Sequence, residues 1–274
     1  MIELSESNIG GLPGLDLQFL IEKVGQFFFA SLRVGSFILS SPLFGAPFVL
    51  LPVRIGIAMT ITLLIVSLNP YIPNIENISS SSGVATAFTE IAIGLSAGLI
   101  LTIIFASVSL AGEKIAASSG LSMAQQIDPT SGSSSPVVSQ ILNLFLIVIF
   151  LSLNGHLIVM HTIIESYSFI PIGTFINPEI LVEGGIFASK KMFFIAAMIM
   201  LPIVVVLLLV NVAIGVITRS APTLNLFSFG FPITMLGVFF MLYLAAGSIG
   251  VSLSGLIDEA IMIFNETLGA LVNG

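Results

Sequence analysis

Charge is scarce in this sequence. Asp, Glu, Lys and Arg make up 8% of its 274 residues, against roughly 25% in an ordinary soluble domain. With 56% hydrophobic residues and a mean hydropathy of +1.16, this scarcity excludes a water-soluble enzyme. Basic residues are scarcer still: seven Lys and Arg stand against fourteen Asp and Glu, a net charge of −7. No basic patch is available to neutralise phosphates, so nucleic acid is excluded as a partner. Cysteine is absent, which removes a disulfide scaffold, a thiolate metal site and a cysteine nucleophile. There is no phosphate-cradling Gly loop followed by Lys, and the serines lack a base and an orienting acid in any recognisable pattern. The chain is therefore expected to be neither an enzyme nor a holder of a cofactor or metal.

What is present is uncharged length. Six windows without Asp, Glu, Lys or Arg run over 34–53, 55–75, 91–112, 129–164, 192–218 and 220–257, and a bilayer-spanning helix needs about 20 residues. The expected fold is an all-α membrane protein with about six long apolar helices, near 24–46, 52–70, 84–111, 136–164, 190–217 and 226–256. The connectors at 69–83, 120–136 and 169–185 are rich in Ser, Gly and Pro and too short to be soluble domains. The acidic start MIELSESNIGG lacks a basic n-region and an adjacent apolar run, so it is not expected to act as a cleavable leader.

Sorted by connector, the charges are lopsided. One face holds Arg54, Lys114 and Arg219 with Glu113 and Asp128; the other holds Lys23, Lys190 and Lys191 with eleven acids. With equal numbers of basic residues on the two faces, the positive-inside rule assigns no orientation. The acidic excess belongs to one face and is read as the rim of an assembly.

Several features lie within the spans. Gly94, Gly98, Thr102 and Ala106 recur every four residues, and Ala246, Gly250 and Ser254 repeat the device; such stripes admit a close helix neighbour, within the chain or outside it. Arg33 and Glu90 sit in or near apolar helices, where an uncompensated charge costs about 2.5 to 3.5 kcal/mol. A mutual salt bridge and snorkelling at helix ends are both open. Asn211, Gly215 and Arg219 share one helix face. His156 and His161 lack the further ligands that a metal site needs, leaving a hydrogen-bonded interfacial role. Pro42, Pro47 and Pro52 fall five apart and cannot lie in continuous helix; NGH at 154–156 and GFP at 230–232 are read as further breaks. Broken helices at membrane depth imply a cavity, a pore or an assembly.

The segments LRVGSFILSSPLFG (32–45), VRIGIAM (53–59), AGEKIAASSGLSMAQQIDP (111–129), LNGH (153–156) and NVAIGVITRSAPTLNLFSFGFP (211–232) resemble, in order and spacing, the FliR family of flagellar export-gate membrane proteins and its injectisome counterparts. The most specific signals are the stretch from Gly112-Glu113 to Asp128-Pro129 and the series Asn211, Gly215, Arg219, Ala221, Pro222, Asn225, Gly230, Phe231 and Pro232. Departures are Ser118 and Thr223, where the family often has Gln, and APFVLLP at 46–52, which usually carries basic residues.

The resemblance implies a non-enzymatic, pore-forming subunit of a type III protein export gate in the bacterial inner membrane. It would stand beside FliP and FliQ, with FlhB and FlhA nearby and unfolded substrates in transit. Residues 1–185 would be a four-helix FliP-like part and 186–274 a FliQ-like hairpin. The segment 112–136 would be an inward plug: Gly112, Glu113, Lys114, Ala116, Ala117, Ser118, Ser119, Gly120 and Met123, continuing through Asp128 and Pro129, with Glu113 and Lys114 anchoring its start. Its small, uncharged make-up suits a piece that packs in a closed channel and withdraws without burying charge; the alternative is a plain solvated loop, which would more often be charged. Arg33, Pro42, Arg54, Glu90, Gly94, Gly98, Asn211, Gly215, Arg219, Pro222, Gly230 and Pro232 would serve packing and assembly. Two other functions compete: the equivalent subunit of a virulence injectisome, and a secondary transporter with Arg33 and Glu90 at a midplane site. The transporter expects an inverted repeat, and the halves 1–137 and 138–274 show no correspondence.

Overall fold

The computed structural model describes residues 17–68, 81–120, 136–174, 176–220 and 230–273. Among them every regular element is α-helix: α1 (Leu17–Ser40), α2 (Leu51–Leu68), α3 (Ser81–Ser118), α4 (Val137–Ser152), α5 (Gly155–Phe169), α6 (Pro178–Ser220) and α7 (Phe231–Asn273). The all-α membrane class expected from composition holds, but the number of spans does not. Among the described residues three helices, α3, α6 and α7, are long and apolar enough to cross a bilayer, and α4 with α5 makes a fourth only if that bent pair counts as one span. The apolar run of α2 is too short, and α1 carries Glu22, Lys23 and Arg33.

The long helices overrun the windows that announced them. α3 has 38 residues and α6 and α7 have 43 each, so they are ~57 to 65 Å long, about twice the hydrocarbon thickness of a bilayer. Charges mark where a helix can no longer face lipid; they do not stop it. α6 starts upstream of Lys190 because Asn177 caps it, its Oδ1 accepting the Glu179 N–H at 3.0 Å, with Pro178 in the first turn, where its missing N–H costs nothing. α6 also runs through Pro202 without a stop.

The proline cluster behaves as its chemistry demands. α1 stops at Ser40; Pro42 and Pro47 lie in turns, and Pro52 falls in the first turn of α2. Arg54 tightens that corner by donating to the carbonyls of Val49 (3.0 Å) and Ala46 (2.7 Å). The expected break at NGH is present: α4 ends at Ser152, Leu153 and Asn154 form a turn, and α5 starts at Gly155. Asn154 takes a left-handed conformation with φ 56, and Gly155 leaves the space the Phe150 ring occupies, since a Cβ there would collide with that ring, 2.5 Å from its Cδ2. At GFP, Phe231 and Pro232 open α7, and residues 221–229 before it lie outside the described residues.

The chain divides into two compact units. The first takes the chain up to Thr102, then Leu157–Gly185 and the end of α7 from Phe264; the second takes Ile103–His156 and Ile186–Ile263. In the first, α1 packs on α2, and α3 lays its small-residue stripe on α1. A Cβ on Gly94 would collide with the Arg33 carbonyl, one on Gly98 would stand 2.9 Å from the Phe37 carbonyl, and Thr102 Oγ1 donates to the Ser40 carbonyl at 2.6 Å. Over these positions the stripe is therefore occupied within the chain, by residues 33–41. In the second unit, α6 and α7 run antiparallel: Lys191 pairs with Glu259, and Gly237 faces Leu207.

Candidate functional site

Arg33 and Glu90 meet in the first unit. Both are fully buried, with Arg33 Nε 2.7 Å from Glu90 Oε2 and Nη2 3.1 Å from Oε1. The two-pronged contact is the arrangement that best offsets loss of water. The guanidinium donates further to Ser166 Oγ (3.0 Å) and the Ile170 carbonyl (2.9 Å) and lies 4.2 Å from the centre of the Tyr167 ring. Tyr167 in turn donates its hydroxyl to the Ala30 carbonyl at 2.8 Å. One arginine thus ties α1 to α3 and to the end of α5, where a cation also suits the exposed helix carbonyls. Of the two readings open to this pair, the salt bridge is the one present.

The second unit holds the start of the expected plug. Residues 112 to 118 are not loop: α3 continues to Ser118. The stop comes at Gly120, whose φ is 78, the left-handed conformation that glycine supplies at a helix end. Gly112 is the place where α4 approaches, since a Cβ there would lie 2.5 Å from Ser139 Cα. Ser139 Oγ donates to the Ser109 carbonyl at 3.0 Å and Asn143 Nδ2 to Ser109 Oγ at 2.9 Å. Ala116 is buried and Ala117 exposed. Glu113 and Lys114, expected to anchor the segment, are exposed and carry no ion pair among the described residues.

The anchoring is done elsewhere. The last carbonyls of a helix have no partner within it, and within lipid water does not supply one. Here Ser119 N–H turns back on Ile115 and Ala116, and Gly120 N–H on Ala117, each at 3.2 Å. The Ser118 carbonyl accepts from Asn211 Nδ2 on α6 at 2.9 Å, and the Ser119 carbonyl from Thr234 Oγ1 on α7 at 3.0 Å. The same Thr234 hydroxyl lies 3.1 Å from the Gly230 carbonyl. The structure therefore brings Ser118, Ser119 and Gly120 together with Asn211 and Gly230, two groups of residues that the sequence kept apart.

Other candidates stand alone. Gly215 faces open space, and Arg219 is exposed beyond it at the end of α6. Pro232 is exposed and Pro42 half-buried. Met123, Asp128, Pro129 and Pro222 lie outside the described residues. His161 stands 3.5 Å from Glu165 on an exposed face, and among the described residues no group of acids and histidines could hold a metal.

Residues 24–260 match the family described as "Bacterial export proteins, family 1". The chain belongs to that family. Flagellar biosynthetic protein FliR of Pectobacterium carotovorum subsp. carotovorum is 35% identical over 221 residues, covering 79% of this chain and 82% of that protein. FliR of Escherichia coli (strain K12) is 33% identical over 214 residues, covering 76% and 79%. Surface presentation of antigens protein SpaR of Shigella flexneri is 30% identical over 165 residues, covering 59% and 62%. Membership of this family, with these apolar helices, makes the chain an integral membrane protein and a structural component of a bacterial export apparatus.

Within this FliR-type chain, sequence reasoning missed Ser166, Tyr167, Asn143 and Thr234. Only Asn143 left a trace, as a large polar group inside an apolar run that had to find a partner. Hydroxyls of Ser and Thr satisfy their own helix backbone so often that they carry no such signal.

Proposed function

We propose that the chain is a non-enzymatic, pore-forming subunit of the flagellar type III protein export gate in the inner membrane, through which unfolded flagellar proteins pass. It stands beside FliP and FliQ, with FlhB and FlhA as neighbours. Residues 1–185 serve as its FliP-like part and 186–274 as its FliQ-like hairpin, and the stretch from Gly112 to Pro136 supplies the plug. The reading rests on one observation above others. α3 ends among apolar helices with its last carbonyls satisfied by Asn211 and Thr234, and the sequence that continues, GLSMAQQIDPTSGSSSP, holds a single charge, Asp128. A terminus finished in this way has its final carbonyls paired by side chains, as a helix end needs where lipid supplies no donor.

Because 116 to 118 are helix, the segment to remove is the one after Gly120. Deleting residues 121–127 is expected to leave the complex assembled and its membrane leaky to small ions. An assembled complex with unchanged permeability contradicts the plug. The similarity to SpaR supports a second reading, the equivalent injectisome subunit: loss of motility on deletion with other secretion intact favours the flagellar role, and the reverse outcome the injectisome.

A further inference from the structure

We infer that Asn211 and Thr234 form a seat for the end of α3 that must hold for the channel to stay closed and must part for it to open; this rests on the plug reading. In the stretch 192–218, α6 carries only two hydrogen-bonding side chains, Asn211 and Thr218. Thr218 satisfies its own helix, donating to the Gly215 carbonyl at 3.0 Å. Asn211 instead reaches to another helix, ninety-three residues away in sequence, for the Ser118 carbonyl. Along the first turns of α7 Thr234 is the polar group, and it is buried against the next carbonyl, that of Ser119. Two consecutive carbonyls are thus held by the two arms of one hairpin, immediately before the left-handed Gly120.

The geometry gives the seat a direction of action. Neither bond fixes α3 along its length, which is packed at Gly112 on α4; both act only on its final turn. Bonds of this kind between membrane helices are individually modest, weak enough to break and re-form as a gate cycles. A shift of either hairpin arm removes one of the two bonds and a shift of both removes both, so the last turn parts from the hairpin. Asn211 and Thr234 are positioning residues here, with no contact to the cargo required.

The test uses the whole complex in native membranes. Thr234→Val and Asn211→Leu keep side-chain size while removing the donors; each is expected to raise ion leak through the resting complex severalfold, and the pair roughly tenfold, in line with the modest energy of such bonds. Thr234→Ser, which keeps the hydroxyl, is expected to stay tight. If the double variant assembles and stays tight while deletion of 121–127 leaks, the seat is overturned and the plug stands. If the deletion also stays tight, the plug and the seat fall together. A second measurement covers variants that do not assemble. The chain has no cysteine, so Ser119→Cys with Thr234→Cys gives one addressable pair. Cross-linking it is expected to stop export and its reduction to restore export. Full export through the cross-linked protein overturns the inference.

Discussion

Arg33 and Glu90, on α1 and α3, lock together 57 residues apart in sequence, the guanidinium and the carboxylate both out of contact with solvent and joined at 2.7 and 3.1 Å. Placing a charge in such surroundings is costly, so each group is tolerable only because of the other. The extra donors to Ser166 and Ile170 make the arginine the hub and the glutamate its counterweight.

Removing one partner should therefore cost more than removing both. Arg33→Met or Glu90→Leu alone leaves a buried charge unpaired and is expected to destabilise the protein by about 3 to 5 kcal/mol, whereas the double substitution recovers a substantial part of that loss. Thermal unfolding of the purified complex, run as a double-mutant cycle, reads the difference. Additive losses would contradict the pairing.

The α3 stripe makes a prediction about glycines that look alike in sequence. Gly94→Val drives a branched side chain into the α1 backbone at Arg33, while Gly215→Val meets open space. The first is expected to abolish accumulation of the protein in membranes and the second to leave the chain's own fold intact. Equal levels of the two variants in a membrane immunoblot would refute the α1–α3 contact.

At the α4–α5 bend, Gly155→Ala places a methyl group against the Phe150 ring. A loss of ~1 to 3 kcal/mol is expected, and Phe150→Leu in the same chain should relieve it. Unfolding temperatures of the three variants check this; no rescue by the smaller side chain would mean that the bend does not depend on that ring.

Arg219 ends α6 with an exposed cation, favourable beside helix carbonyls. Arg219→Glu is expected to lower the yield of assembled complex while leaving the chain itself membrane-inserted. A normal yield of complex on native gels would show that the position takes no part in assembly.

How far the sequence announces this arrangement depends on the residue. Charge scarcity points to the membrane class, the Asn154-Gly155 pair to the bend, and the isolation of Arg33 and Glu90 in apolar runs requires them to find partners. Helix ends are less legible. Lys190, Lys191, Asp258 and Glu259 look like the limits of spans, yet α6 and α7 run past them because the hairpin pairs Lys191 with Glu259. The apolar window puts the end of α3 at Ala111, whereas the stop signal is Gly120; nothing local separates Gly112, a packing glycine, from Gly120, a terminating one. The link from Asn211 and Thr234 to Ser118 and Ser119 spans about a hundred residues and has no periodicity to betray it.

Under the proposed function the chain works as one subunit of an export gate and not alone. Purification of the tagged chain from membranes of its own cells, followed by mass spectrometry of what accompanies it, puts this to the test. FliP and FliQ are expected in the same particle, and the chain is expected to be unstable when expressed without them. A stable, monodisperse chain free of both would contradict the gate assignment.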